Sequence, residues 1–246
     1  MDGEGRNLCD EAGKALLLNA LPPDVLERNV SNVLDVLNKN RYKNFPPAKL
    51  IAVTKTVGPD VINRLKPIKI FNIGENRAQV ALAKLTKIAP EFRLHWLGRL
   101  QSNKVKDIIE HVSMLHTLDR LSLAQEVNRR AGEKGLLLET LVQVNIARES
   151  QKGGMPPNEV LPFLRQMRDF PNIRVVGLMS IMPLNAPPEE LTLLFRGMRT
   201  LFESLQDAAV QGVCMRELSM GMSNDYLLAA REGATMVRIG TALYRE

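Results

Sequence analysis

Eight short apolar runs, each bounded by turn residues and followed by a segment with helical spacing, constrain this chain more than any other feature. They predict strands at Leu50–Thr54, Lys69–Ile73, Arg93–Leu97, Val112–Thr117, Glu139–Asn145, Arg174–Met179, Arg216–Met220 and Met236–Ile239. The clearest helical spacing runs from Pro188 to Ala209, where Leu191, Leu194, Phe195, Met198, Leu201, Phe202, Leu205 and Ala209 share one face. Glu75–Ile88 repeats apolar residues at Ala78, Ala81, Leu82, Leu85 and Ile88. A further helix opens at Asp119, carries Leu123, Ala124, Val127 and Ala131, and stops near Gly135. Strict alternation of strand and helix implies parallel strands, and eight such units fit a closed α/β barrel, a single (β/α)8 TIM barrel, better than an open sheet.

The ends of the chain fit closure. No helix is expected after the eighth strand, whereas a helical segment from Asp24 to about Arg41 precedes the first and is expected to seal the barrel wall. Residues 1–23 are expected to form a tail and residues 24–246 one domain, since no linker rich in Pro, Gly or Ser divides the chain and no repeat exceeds the unit rhythm. With 45% apolar and 24% charged residues, the 246-residue chain can bury a sizeable core and is not charged enough to be disordered. The net charge of +6 is scattered, so nucleic acid is not indicated as a partner. No stretch is apolar enough to span a membrane, and the opening MDGEGRNLCDEAG is acidic where a secretion signal is basic and then apolar. Cys9 and Cys214 make neither a disulfide framework nor a metal spacing, so a cytoplasmic protein is expected.

Barrels of this kind carry their chemistry at the C-terminal ends of the strands. Here those ends are polar: Lys55 after IAVT, GEN at Gly74–Asn76, His95 with Gly98, Thr117 with Asp119, Asn145, Ser180, SMGMS at Ser219–Ser223, and Arg238 with Gly240 and Thr241. Alternation through Ile51 and Val53 carries Lys55 inward at the top of the first strand. A desolvated amine there can attack an aldehyde; the structural alternative is a lysine that reaches solvent or pairs with an acid such as Glu75. Ser223, placed to cap the next helix, and Gly240 with Thr241 offer a hydroxyl and backbone N–H groups to an anion, although simple capping would also place them there.

A lysine after strand one and a phosphate cradle after strands seven and eight together describe a pyridoxal 5'-phosphate pocket, with the aldehyde at Lys55 and the phosphate at Ser223, Gly240 and Thr241. Arg238 alternates inward with that pocket. A guanidinium only donates hydrogen bonds, so facing the pyridine nitrogen it would keep that nitrogen unprotonated and weaken the ring as an electron sink.

The strings LIAVTKT, IGEN, HWLGRLQSNKVK, HTLD, LVQVNIARESQKGG, VVGLMSIMP, ELSMGMSND and GATMVRIGTALY, from about Leu50 to Tyr244, closely resemble the pyridoxal phosphate homeostasis proteins, also called the YggS or proline-synthetase co-transcribed family. The resemblance implies a barrel like the N-terminal domain of alanine racemase, with the cofactor held as an aldimine on Lys55. It further implies that Ser223, Gly240 and Thr241 hold the phosphate, that Arg238 lies near the ring nitrogen, and that Asn76 of GEN lines the pocket. The chain departs from the family's pattern at Arg77, where an aromatic residue is usual, and in the closing TALYRE.

Two-base racemization needs an acid or base on each face of the cofactor, and alanine racemase-like enzymes take the second, a tyrosine, from an extra β domain. No such domain is expected in 246 residues, and of Tyr42, Tyr226 and Tyr244 only the last is placed to approach the pocket. The expectation is a monomeric carrier without dedicated amino-acid turnover that buffers vitamin B6 and delivers it to apoenzymes. The alternatives are a pyridoxal phosphate-dependent racemase or lyase, and a cofactor-free Schiff-base aldolase. Lys152 and Lys104 are weaker candidates for a hand-over route. His95 and His116 read as buried, hydrogen-bonded imidazoles in strands without metal spacing, and Trp96 and Phe71 as packing.

Overall fold

The computed structural model describes residues 21–149 and 151–245. Eight strands close into one parallel barrel in sequence order: β1 (Lys49–Val53), β2 (Asn72–Glu75), β3 (Arg93–Trp96), β4 (Val112–Leu118), β5 (Leu138–Gln143), β6 (Ile173–Met179), β7 (Val213–Met222) and β8 (Met236–Ile239). Closure is made where β8 pairs with β1, in a register that sets Ile51 against Arg238. Cys9 and most of the expected tail lie outside the described residues.

The helices are α1 (Pro23–Lys39), α2 (Pro59–Asn63), α3 (Ala78–Leu85), α4 (Val105–Ile108), α5 (Leu121–Glu133), α6 (Pro157–Gln166), α7 (Pro188–Asp207) and α8 (Tyr226–Arg231). Four of them, α1, α2, α6 and α7, start on a proline, whose fixed φ suits the first helical turn and whose missing N–H costs nothing there. α1 buries Val25, Leu26, Val30, Val33 and Leu37, one stripe at helical spacing. Asn29 of α1 donates to the carbonyls of Leu243 and Arg245, at 3.2 and 2.7 Å, and Arg231 donates to Asn40 at 2.8 Å. The N-terminal helix therefore seals the wall beside β8, as its sequence position implies.

Most of the core lies between the sheet and the helices, an aliphatic shell that includes Leu26, Ile62, Leu115, Leu123 and Phe195. Inside the barrel a smaller apolar cluster of Ile51, Met114, Leu141, Val176, Met179 and Met236 shares the space with buried polar side chains. Three expectations need correction. The run at Lys69–Ile73 is half turn: Ile70 N–H reaches back to Leu65 O at 3.0 Å, Lys69 takes a φ of 60°, and β2 starts only at Asn72. Ala209 falls beyond α7, exposed and at a φ of 45°. The buried face of α7 also admits Arg199, whose guanidinium lies 4.8 Å from the Tyr42 ring and 4.9 Å from the Phe45 ring and so stays stabilised away from water.

Candidate functional site

At the C-terminal mouth lies a cavity of about 550 Å3, a size typical of small-molecule sites. Lys55, Ser223, Arg238, Gly240 and Thr241 all line it, joined by Met222, Asp225 and the apolar Val53, Met182, Leu184, Leu191 and Leu228. Asn76, expected at the pocket from the family resemblance, is not among the lining residues. It follows β2, and its backbone is packed against Gly98, where an added Cβ would lie 2.4 Å from the Asn76 carbonyl oxygen.

Lys55 stands two residues beyond β1 with its side chain exposed to the cavity. Its backbone is fixed from behind. Thr54 donates its N–H to Gly74 O at 2.9 Å and its hydroxyl to Glu75 Oε1 at 2.7 Å. Lys84 Nζ then bridges the Thr54 carbonyl at 2.7 Å and Glu75 Oε1 at 2.8 Å. Glu75 is thus the buried partner of Lys84, and the alternative that pairs it with Lys55 is set aside. Among the described residues Lys55 makes no ion pair or side-chain hydrogen bond, so its amine is left for whatever enters the cavity.

The opposite wall comes from the β7–α8 turn and the end of β8. Gly221, at a φ of 91°, turns the chain so tightly that a Cβ would stand 2.5 Å from Ala229 Cβ. Ser223 does not cap α8, as its sequence position implies; that boundary falls on Asp225, which accepts the Met222 N–H at 2.5 Å. Ser223 Oγ instead receives the N–H groups of Gly240 and Ala242 at 3.3 Å each. Two long, converging amide bonds beside a hydroxyl form a nest that an anion's oxygens can enter. Asp225 is buried, which pushes its carboxyl above the usual range. It is a lining group the sequence reading missed, although SMGMSND holds it two residues after Ser223.

Arg238 is buried in the cavity floor. It donates to Ser219 Oγ at 2.8 Å and to the Ser180 carbonyl at 2.9 Å. Burial lowers its pKa to about 10, partly offset by Asp225, and it stays cationic at neutral pH. Tyr244 is buried and does not line the cavity, and burial pushes its hydroxyl well above the usual phenol value. Lys152 pairs with Glu149, Lys104 with Asp107 at 3.5 Å, and neither lines the cavity. Trp96 is buried, and Phe71 packs against Phe92. Among the described residues no cluster of His, Cys, Asp or Glu could hold a metal ion, and no helix is long and apolar enough to cross a membrane.

The family model for the alanine racemase N-terminal domain matches residues 24–246. A pyridoxal phosphate homeostasis protein of Aquifex aeolicus is 40% identical over 200 residues, covering 81% of this chain and 87% of that one. The chain belongs to the pyridoxal phosphate homeostasis protein family. Its Synechocystis member is 34% identical, covering 81% of this chain and 91% of that one. PipY of Synechococcus elongatus, solved with pyridoxal phosphate bound, is 32% identical and matches 90% of this chain and 100% of its own, with a TM-score of 0.79. Alanine racemase of Clostridium difficile, 18% identical, shares the fold at a TM-score of 0.73 over 91% of this chain and 57% of its own.

Proposed function

We propose that the chain binds pyridoxal 5'-phosphate in the mouth cavity, covalently linked through Lys55, and serves intracellular vitamin B6 homeostasis by buffering and delivering it. One observation carries this reading: three separate segments, after β1, after β7 and at the end of β8, bring a single uncommitted amine, a hydroxyl with converging backbone amides, and a buried arginine to one cavity. That donor set fits an aldehyde, a phosphate and a pyridine nitrogen. When bound, the cofactor supplies an electrophilic aldehyde and an electron-withdrawing ring.

The residues of this chain do the rest. Lys55 Nζ provides the amine, on a backbone that Thr54, Glu75 and Lys84 hold still. Ser223, Gly240 and Thr241 receive the phosphate. Arg238 can only donate, so facing the ring nitrogen it would keep that nitrogen an acceptor and unprotonated, which disfavours carbanion chemistry and suits storage. The exposed Lys55 amine leaves the link open to exchange with an apoenzyme's lysine. Cys214, free and exposed, suits a reducing, cytoplasmic compartment.

Titrating the purified chain with pyridoxal phosphate should produce the absorbance band of a lysine-linked cofactor, and Lys55→Ala should remove it. A band of unchanged intensity in that variant would overturn the assignment. Racemase or lyase activity is the second reading, favoured by the Asp225 carboxyl in the cavity wall. Long incubation of the loaded chain with single amino acids and chiral separation decides between them: turnover above that of free cofactor supports the enzyme. Transfer to an apoenzyme, with and without a trap for released cofactor, tests delivery.

A further inference from the structure

Below Arg238 a row of buried polar side chains crosses the barrel interior, and nothing in the proposed chemistry uses it. Ser219 Oγ lies 3.1 Å from His116 Nδ1, His116 Nε2 lies 2.9 Å from His95 Nδ1, and His95 Nε2 lies 3.2 Å from Asn72 Oδ1. Ser219 and His116 have no solvent exposure, and His95 has 5%. Burial pushes both imidazoles well below their usual pKa, so both are neutral at pH 7. The row ends at a second cavity of about 250 Å3 on the N-terminal side, lined by Asn72 and His95 among others.

The chemistry at its two ends gives the row a direction. Arg238 can only donate, so Ser219 Oγ accepts from it. Asn72 Oδ1 can only accept, so His95 donates from Nε2 and keeps Nδ1 as an acceptor. His116 must then donate from Nε2, and its bare Nδ1 takes the hydroxyl proton of Ser219. Every group is satisfied once. The reversed direction would aim two donors at Ser219 Oγ and leave its own hydrogen without an acceptor among the described residues, a costly state in a dry interior.

We propose that Ser219, His116, His95 and Asn72 are positioning residues: a one-directional hydrogen-bonded column that holds the Arg238 guanidinium against the cavity and commits one of its donors. The inference rests on the reading that Arg238 faces the cofactor's ring nitrogen. The column spans β2, β3, β4, β7 and β8, so Arg238 is anchored to the far end of the barrel as well as to its own strand. A free guanidinium would sample several rotamers; this one has its direction fixed by a chain in which no member can turn without orphaning the next.

Nitrogen-15 NMR of histidine-labelled chain without cofactor should find both His95 and His116 as neutral Nε2–H tautomers at pH 7. An Nδ1–H tautomer or an imidazolium at either residue overturns the column. Asn72→Leu removes the terminal acceptor from a half-buried position, but Arg238 still sets the direction through Ser219, so both rings should keep the Nε2–H form with the freed His95 N–H facing the N-terminal cavity; an Nδ1–H form of His116 in that variant contradicts the proposal. Ser219→Ala should weaken pyridoxal phosphate binding about tenfold, the order seen when partners that orient a metal's ligands are removed, while the Lys55-linked band still forms and its pH titration moves. An unchanged affinity and titration in a folded Ser219→Ala chain counts against it. If Ser219→Ala fails to fold, the Asn72→Leu tautomers carry the test. If the wild-type chain forms no band, the functional reading fails, and the tautomers of the unloaded chain still decide the column.

Discussion

The two mouths of the barrel carry similar groups and treat them differently. At the N-terminal mouth both carboxylates that line the cavity are paired: Lys49 meets Glu217 at 2.6 Å, Arg216 meets Glu139 at 2.6 Å, and Thr235 adds a hydroxyl to Glu217 at 2.8 Å. At the C-terminal mouth Lys55 is left without a partner among the described residues, and the Glu75–Lys84 pair sits behind it and holds its backbone. One end of the barrel is finished as structure, and the other keeps its polar groups for a ligand, as parallel barrels generally do.

That contrast breaks most readily at the pair behind Lys55. Lys84→Met leaves Glu75 buried with only Thr54 as a partner, and it should destabilise the chain by about 3 kcal/mol in denaturant unfolding. A loss below about 0.5 kcal/mol would mean that the pair is no more structural than a surface bridge.

Acid should act from the interior. Burial, with Lys49 and Arg93 nearby, lowers the His95 pKa to about 4 from an ordinary 6.5. The unfolded chain then binds the proton first, so stability is full above pH 6.5 and falls as the pH drops through about 4. The loss for His95 is on the order of 3 kcal/mol, with His116 adding to it in the same direction. Unfolding curves between pH 7 and 4 measure it, and a flat profile would contradict neutral, buried imidazoles.

Ser223→Ala at the open mouth should cost about tenfold in pyridoxal phosphate affinity with little change in melting temperature, since one hydrogen bond to a charged group is removed. Lys49→Ala at the closed mouth removes a half-exposed lysine. The buried Glu217 keeps its Thr235 hydroxyl and Arg216 at 3.7 Å, so the change should cost about 1 kcal/mol and leave affinity untouched. Equal effects of the two on cofactor binding would erase the distinction between the mouths.

Much of this was legible in the order of residues. Short apolar runs bounded by turn residues are local signals, and all eight strands fall where they point, apart from the early start assigned to β2. There the apolar Ile70 and Phe71 resemble a strand, while Ile70 is held by a turn hydrogen bond back to Leu65. Lys55, Ser223, Gly240, Thr241 and Arg238 were legible because strand ends converge in a barrel whatever their distance in sequence. The column was not. His95 and His116 read correctly as buried and hydrogen-bonded, but nothing local pairs His116 with Ser219, 103 residues away. Asp225 carries no signal of its own within SMGMSND, and only the tight turn at Gly221 brings it to the cavity wall.

The free amine of Lys55 at the open mouth is the proposed point of attachment of the cofactor. Borohydride reduction of the loaded chain, followed by digestion and mass spectrometry, tests it directly. A reduced pyridoxyl phosphate adduct is expected on the peptide bearing Lys55 at near one equivalent. An adduct centred on Lys84, Lys104, Lys152 or Lys49 would contradict it.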